Sequence, residues 1–114
     1  MTHGAQKISV TVRTFNEEQN LRDCLASVSW ADEIVVVDSE STDRTVAIAR
    51  EFTDRIIIQP WLGHIAQSQF ATDRTRNLWV LHMDADERVS AALRDEILAL
   101  DLESSPYDAY EMPR

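Results

Sequence analysis

The chain has 114 residues and a mass of 13.0 kDa, enough for one domain with a real core but not for two. Its composition, 44% hydrophobic and 27% charged, is typical of a soluble globular protein, and no apolar run approaches the roughly 20 residues of a membrane helix. The 11 basic and 20 acidic residues give a net charge of −9, which disfavours binding to nucleic acid or anionic lipid. Because Gly4 and Gly63 are the only glycines, the three-glycine dinucleotide fingerprint and the P-loop are excluded. The single cysteine, Cys24, excludes an internal disulfide and fits a reducing cytoplasm.

Short apolar strands alternate with helical segments along the chain. Strands are predicted where β-branched residues alternate or run together, at residues 8–12, 34–37, 56–58 and 79–83. Helices are predicted where apolar residues recur at helical spacing. These positions are Leu21, Leu25 and Val28, then Val46, Ala49 and Phe52, and finally Leu93, Ile97 and Leu100. A further helix is predicted at residues 64–76, which are polar apart from Ile65, Phe70 and Ala71 and only weakly patterned. The alternation predicts an α/β domain with right-handed crossovers, a mostly parallel sheet and flanking helices.

Residues that cap helices follow the strands. Asn16 and Gln19 fit a capping box ahead of the first helix, and Ser90 fits the N-cap of the last. Residues 39–43 supply similar side chains ahead of the second helix. Cys24, beside the apolar stripe of the first helix, is predicted to fill the core.

Three polar clusters follow three of the predicted strands, at residues 14–17, 38–43 and 84–87. In an open α/β sheet, strand ends and helix N-termini converge at the carboxyl edge, where ligands bind. Helix capping explains most of these polar residues, but Asp38 and Asp84 end apolar strands without directly opening a helix. We therefore expect a ligand site at this edge of the sheet.

Asp84 and Asp86 are separated by one residue at the end of the fourth predicted strand. Two carboxylates in this arrangement reach one divalent cation if the strand ends between them, and Mg²⁺ and Mn²⁺ prefer such oxygen ligands. The cation would also remove the repulsion between these carboxylates and a bound diphosphate. The pair predicts a divalent metal site next to a phosphate-bearing ligand.

Three longer stretches occur in order: ISVTVRTFNEE at residues 8–18, WADEIVVVDSESTDRT at residues 30–45 and LHMDADE at residues 81–87. Together they resemble glycosyltransferase family 2, and in particular the branch similar to lipopolysaccharide-core sugar transferases. The resemblance covers nearly the whole chain. It implies a GT-A fold, whose Rossmann-like half binds a nucleotide-diphosphate sugar beside an Asp-x-Asp metal site.

The resemblance also implies roles for individual residues. The nucleotide-binding residues would be Thr14, Asn16, Glu17, Asp38, Gln67 and Asp84, and the metal ligands would be Asp86 and Asp84. The loop after the first strand and Asp38 would hold the base and ribose, while Asp86 would ligate the metal that bridges the diphosphate. Gln67, with residues 60–63, is similar to an aromatic-glycine-glutamine stretch near the nucleotide. For Asp38 a second interpretation stays open, in which its side chain caps the turn at residues 39–42.

The chain departs from the family pattern at three places. Glu40 stands where the family usually has glycine, in a turn that favours positive φ. Ser68 and Gln69 replace a basic residue and an asparagine, which weakens an expected phosphate contact. Residues 77–78 are Asn-Leu where Gly-Asp is common.

The activity that the resemblance implies is inverting transfer of a sugar from a nucleotide-diphosphate donor to an acceptor hydroxyl. It would be assisted by Mg²⁺ or Mn²⁺ and would belong to synthesis of lipopolysaccharide or another envelope polysaccharide. In the family the general base lies in a second half, so we expect it beyond Arg114 and expect no transfer by this chain alone. Residues 1–114 would be one truncated domain that binds the sugar donor. The alternative is a non-catalytic module that binds a nucleotide sugar or a metal.

The expected partners are the nucleotide sugar and an unknown acceptor, without nucleic acid and without a transmembrane segment in this chain. The expected location is the cytoplasm, and the alternative is the inner face of the membrane.

In a GT-A sheet, later strands would cover the far side of strand 79–83. An exposed strand edge pairs readily with another chain, so a homodimer through this edge is expected. The alternative is that residues 107–112, which alternate like a strand, seal the edge and leave a monomer.

Overall fold

A computed structural model describes residues 7–99, and these form one parallel sheet with helices on both faces. The strands are β1 (Ile8–Thr14), β2 (Glu33–Asp38), β3 (Ile56–Ile58) and β4 (Trp79–Asp84). Their order is β3-β2-β1-β4, and every neighbouring pair is parallel. The predicted α/β class with a mostly parallel sheet is therefore confirmed.

Four helices connect or follow the strands. They are α1 (Leu21–Ala26), α2 (Thr45–Ala49), α3 (His64–Asp73) and α4 (Ala91–Ala99). All four predicted helices are present, although α1 and α2 are shorter than the apolar spacing indicated. Phe52 lies beyond the end of α2 and still packs against the core, because the turn after α2 returns it to the sheet.

The main core lies between the sheet and the helices α1, α2 and α4. Its members include Val10 and Val12 from β1, Val36 from β2, Leu21, Cys24 and Leu25 from α1, Ile48 and Ala49 from α2, Leu81 and Met83 from β4, and Ile97 from α4. Most of these side chains are fully buried. Cys24 is among them, which confirms its predicted place in the core.

The opposite face of the sheet, covered by α3, is partly polar. A small apolar cluster joins Val35 and Val37 to Ala71 of α3. Next to it, the ring of His82 bonds the hydroxyls of Thr11 and Thr72, the latter at 3.0 Å. Burial, with a smaller contribution from a neighbouring arginine, lowers the pKa of His82. Because the polar side chains on this face form hydrogen bonds, α3 packs against the sheet with few apolar residues.

The capping prediction for the first helix is wrong, and that for the last helix is confirmed. Asn16 has a φ of 50° and its side chain bonds a different loop, so α1 begins only at Leu21 without a side-chain cap. Ser90 Oγ accepts a hydrogen bond of 3.1 Å from the Leu93 N–H, as an N-cap does.

Strand β4 lies at an edge of the sheet formed by the described residues. The segment 107–112, expected to seal that edge in one alternative, lies outside the described residues, so association through β4 stays a prediction. Between residues 7 and 99, no helix has the length and apolar character needed to span a bilayer.

The core makes a direct prediction about stability. Leu25 is fully buried, so Leu25→Ala leaves a cavity and should lower the free energy of unfolding by about 2–5 kcal/mol. Leu78 is 85% exposed, and the same substitution there should change it by less than about 0.5 kcal/mol. Urea unfolding followed by circular dichroism measures both values. Equal effects at the two positions would contradict the packing described here.

Candidate functional site

The connections of the sheet create a crevice beside β1. The chain runs from β1 outward through β2 to β3, and then crosses back through α3 to β4 on the other side of β1. The strand order therefore reverses between β1 and β4. In parallel α/β sheets, ligands bind at the carboxyl ends of the strands at such a reversal.

Asp38 ends β2 and is fully buried. Its Oδ1 accepts hydrogen bonds of 2.6 Å from the hydroxyls of Thr14 and Ser41, and its Oδ2 accepts one of 2.8 Å from the Ser41 N–H. Thr14 faces Asp38 because the register pairs the two residues across β1 and β2. In this arrangement Asp38 closes the turn that follows β2, which agrees with the second interpretation of this residue.

The loops after β1 and β2 are bonded to each other. The Asn16 N–H donates to Ser41 Oγ at 2.7 Å, and Asn16 Oδ1 accepts from the Thr42 N–H at 2.9 Å. The Glu17 N–H donates to Thr45 Oγ1 at 2.9 Å. These contacts join the two loops into one surface at the carboxyl edge.

Asp43 strengthens the same junction. Its Oδ1 accepts from the Thr45 hydroxyl and N–H, and its Oδ2 accepts from the Glu18 N–H at 3.3 Å. The hydrogen bond from the Thr45 hydroxyl, followed by backbone N–H groups, lowers the pKa of Asp43. Such a carboxylate is a poor proton acceptor, so Asp43 is suited to a structural role.

Glu40 adopts a left-handed backbone conformation with a φ of 65°. The turn was expected to favour positive φ, and the structure confirms it. A side chain with a Cβ pays an energetic penalty in this conformation that glycine does not. The flanking contacts of Asp38 and Asn16 hold the turn in place despite that cost.

A tight turn follows β4 and carries the two candidate metal ligands. The Asp84 N–H donates to Glu87 Oε1 at 2.7 Å, and the Glu87 N–H donates to the Asp84 carbonyl at 3.0 Å. Asp86 lies within this turn and is exposed. The Cys24 thiol lies 3.7 Å from the Asp84 carbonyl oxygen, on the core side of the turn. Burial raises the pKa of the Cys24 thiol to about 12.

Arg13 lies directly across from Asp84, because the register of β1 and β4 pairs the two residues. Its Nη2 is 2.5 Å from Asp84 Oδ1, and its Nη1 donates to Ser68 Oγ on α3 at 3.2 Å. The sequence analysis did not single out Arg13. The available signal was a charged residue inside an otherwise uncharged strand, one position before the strand ends.

Gln67 is fully buried and ties α3 to the neighbouring loops. Its Oε1 accepts from the Leu62 N–H at 3.1 Å, and its Nε2 donates to Ser39 Oγ at 3.2 Å and to the Gln59 carbonyl at 3.5 Å. With its polar atoms engaged in this way, Gln67 positions α3 against the loop that follows Asp38.

The predicted site residues thus fall into two adjacent groups at one edge. Thr14, Asn16, Glu17, Asp38 and Gln67 surround the loops after β1 and β2, whereas Asp84 and Asp86 flank the turn after β4. Within residues 7–99, no three acidic, histidine or cysteine side chains cluster as a complete metal site. Two carboxylates nevertheless fit Mg²⁺ or Mn²⁺ when phosphate oxygens complete the coordination.

Comparison with known proteins identifies the family. A model of glycosyl transferase family 2 matches residues 9–110. An uncharacterized glycosyltransferase of Rickettsia bellii is 45% identical over 93 residues, and the lipopolysaccharide core biosynthesis glycosyltransferase LpsC of Rhizobium meliloti is 39% identical over 100 residues. Each alignment covers 81% of this chain, but 32% and 37% of the respective relatives. The chain therefore spans about a third of the length of these relatives.

Solved structures agree with this result. S. aureus TarS 1-349 in complex with UDP has a TM-score of 0.64 and 26% identity, covering 81% of this chain and 31% of the TarS 1-349 chain. The glucosyl-3-phosphoglycerate synthase of Mycobacterium tuberculosis has a TM-score of 0.60 and 24% identity, covering 75% and 38%. The chain belongs to glycosyl transferase family 2, and its sheet is the Rossmann-like part of a GT-A fold. The resemblance found in the sequence is confirmed.

The buried Asp38 predicts a loss of stability on substitution. Asp38→Asn replaces an acceptor oxygen by an NH₂ group facing the donors of Thr14 and Ser41, and should lower the free energy of unfolding by about 1–3 kcal/mol. Urea unfolding is the measurement, and Asp54→Asn, at an exposed position, is the control. An unfolding curve identical to that of the wild type would refute the structural role of Asp38.

Because Glu40 has a left-handed backbone conformation, its substitution by glycine should raise stability rather than lower it. Glu40→Gly should remove a left-handed cost of about 1–2 kcal/mol, offset by about 0.4–1 kcal/mol from the greater freedom of glycine in the unfolded chain. Thermal unfolding should therefore show a modest stabilisation. Glu40→Ala keeps the Cβ and should give none, so equal stabilisation by both variants would point to charge rather than backbone geometry.

Proposed function

We propose that this chain binds the sugar donor of an inverting glycosyltransferase, and that this donor is a uridine-diphosphate sugar. The observation that carries the proposal is the crevice between β1 and β4, where the Asp84–Asp86 turn adjoins the joined loops after β1 and β2. Ligands of open α/β sheets bind in such a crevice, and on this proposal the base and ribose lie at the loops and the diphosphate at the turn.

The family and the neighbouring structures support this donor. TarS was crystallised with UDP, and the M. tuberculosis synthase with Mn²⁺ and UDP-glucose. On this proposal the loop residues Thr14, Asn16 and Glu17, together with Asp38, form the base and ribose side of the site. Because Thr14 and Asp38 are buried, they shape this surface from below, while the exposed Asn16 is accessible to the ligand.

We propose Asp84 and Asp86 as the residues that hold a divalent cation. When bound, the cation supplies positive charge that stabilises the departing diphosphate. Asp86 is exposed in the turn. The carboxylate of Asp84 is held by Arg13, and the backbone N–H of Asp84 donates to Glu87. A fixed first carboxylate and an accessible second one suit a cation that must also accept phosphate oxygens.

The transfer itself would be a direct displacement. An acceptor hydroxyl gives its proton to a base and attacks the anomeric carbon, a new glycosidic bond forms, and the bond to the diphosphate breaks with inversion. The acids Asp43 and Glu87 bond backbone groups within the loops, and we assign the base to neither. We propose that the acceptor site and the base lie outside residues 7–99.

The biological setting that we propose is assembly of lipopolysaccharide or a related envelope polysaccharide at the cytoplasmic side of the membrane. The relation to LpsC, a lipopolysaccharide core biosynthesis glycosyltransferase, supports this setting.

The proposal is tested by binding of UDP with and without metal. Isothermal titration should give at least about tenfold tighter UDP binding in Mn²⁺ than in chelator, equivalent to about 1.4 kcal/mol. Asp86→Ala should remove this difference, because the variant lacks the accessible carboxylate. Asp54→Ala, an exposed aspartate outside the turn, should retain it. Absence of UDP binding by the wild type, or equal binding with and without metal, would refute the proposal.

A further inference from the structure

Arg13 is a cation built into the crevice. Its side chain is 16% exposed, and it is held between the carboxylate of Asp84 on β4 and the hydroxyl of Ser68 on α3. Two different elements therefore fix the guanidinium at the point where the strand order reverses. The ion pair of Arg13 with Asp84 differs from one between flexible surface side chains, because the pairing of β1 with β4 sets the positions of both residues.

The hydrogen bonds of Arg13 leave part of its capacity unused. A guanidinium carries five N–H donors. Among the described residues, Nε of Arg13 is buried without a hydrogen-bond partner. The hydrogen bonds to Ser68 and Asp84 come from Nη1 and Nη2, each of which carries a second N–H, so the guanidinium has donors for an anion while it still holds Asp84.

The side chains around the crevice are acidic, so an anionic ligand needs a cation there in order to bind. Asp84, Asp86 and Glu87 follow one another within four residues at the same turn. Arg88, the next residue, is directed elsewhere, since its Nη2 pairs with Asp23 at 3.1 Å. Arg13 is thus the basic side chain that directly contacts this acidic turn from the sheet.

We propose that Arg13 binds the diphosphate of the nucleotide, with Asp84 and Ser68 holding its guanidinium in the binding position. This inference rests on the proposed function and adds to it a phosphate-binding residue on β1. Ser68 then has a defined role: its small hydroxyl orients the guanidinium without competing for the phosphate. Arginine suits the task because its planar donor array matches phosphate oxygens.

The test compares wild type and Arg13→Gln in Mn²⁺ with two probes, UDP by calorimetry and uridine by ligand-observed NMR. Uridine lacks the diphosphate. Arg13→Gln should weaken UDP binding about tenfold to a hundredfold, as expected for loss of a charge-assisted hydrogen bond, and leave uridine binding unchanged. Equal weakening for both probes would mean that Arg13 only positions other residues, and unchanged UDP binding would mean that it does not touch the phosphate; either result overturns the inference.

A second pair of variants leaves Arg13 in place, in case Arg13→Gln disturbs folding. Ser68→Asp puts a carboxylate beside the guanidinium and should weaken UDP binding by competing with the phosphate. Ser68→Ala removes the hydroxyl without adding charge and should bind UDP more tightly than Ser68→Asp does. Equal UDP affinity in these two variants would overturn the inference.

The controls separate this inference from the proposed function. Arg22→Gln removes an exposed arginine that pairs with Glu51, and its UDP affinity should equal that of the wild type. If the wild type fails to bind UDP, the proposed function and this inference fail together. If the wild type binds UDP with Mn²⁺ while Arg13→Gln binds it equally well, the role of Arg13 alone is refuted.

Discussion

The parallel pairing of β1 with both of its neighbours is the constraint on which the candidate site depends. The register sets Thr14 against Asp38 on β2 and Arg13 against Asp84 on β4. Because successive residues of a strand point to opposite faces, these two cross-strand pairs lie on opposite sides of the sheet. The carboxyl edge therefore ends in two polar pairs, one beneath the loops after β1 and β2 and one beside the turn after β4. A shift of one residue in either register would separate the pair that this register aligns.

The same alternation explains why the two faces of the sheet are packed so differently. Val10 and Val12 of β1 meet the main core, whereas Ser9, Thr11 and Arg13 face α3. Each of these three polar side chains has a partner: Ser9 bonds Glu33 and Asn77, Thr11 bonds His82, and Arg13 bonds Asp84 and Ser68. Buried polar groups are tolerated when they are paired in this way. Apolar burial thus stabilises one face, and hydrogen bonds fix the relation of α3 to the other.

The sequence was sufficient to predict the strands, the helices and the parallel class, because these depend on local patterns of apolar residues. It failed at Asn16, where local reasoning predicted a helix cap. The conformation of Asn16 is decided by bonds to Ser41 and Thr42, about 25 residues away, which no local pattern records. The positive φ of Glu40 was predicted from the resemblance, because the family usually has glycine at this position. Arg13 was missed because its significance arises only when β4, some 70 residues later, is placed beside it.

Helix α3 connects the two halves of the candidate site through consecutive residues. Gln67 bonds the loops around Ser39 and Leu62, and Ser68 bonds Arg13 beside the turn of Asp84. A helix is rigid over one residue step, so its position fixes the distance between the loops after β1 and β2 and the turn after β4. The Gln67 contacts anchor the helix independently of Arg13. Loss of the contact between Arg13 and Ser68 would therefore leave α3 in place, and the change would be confined to the arginine side chain.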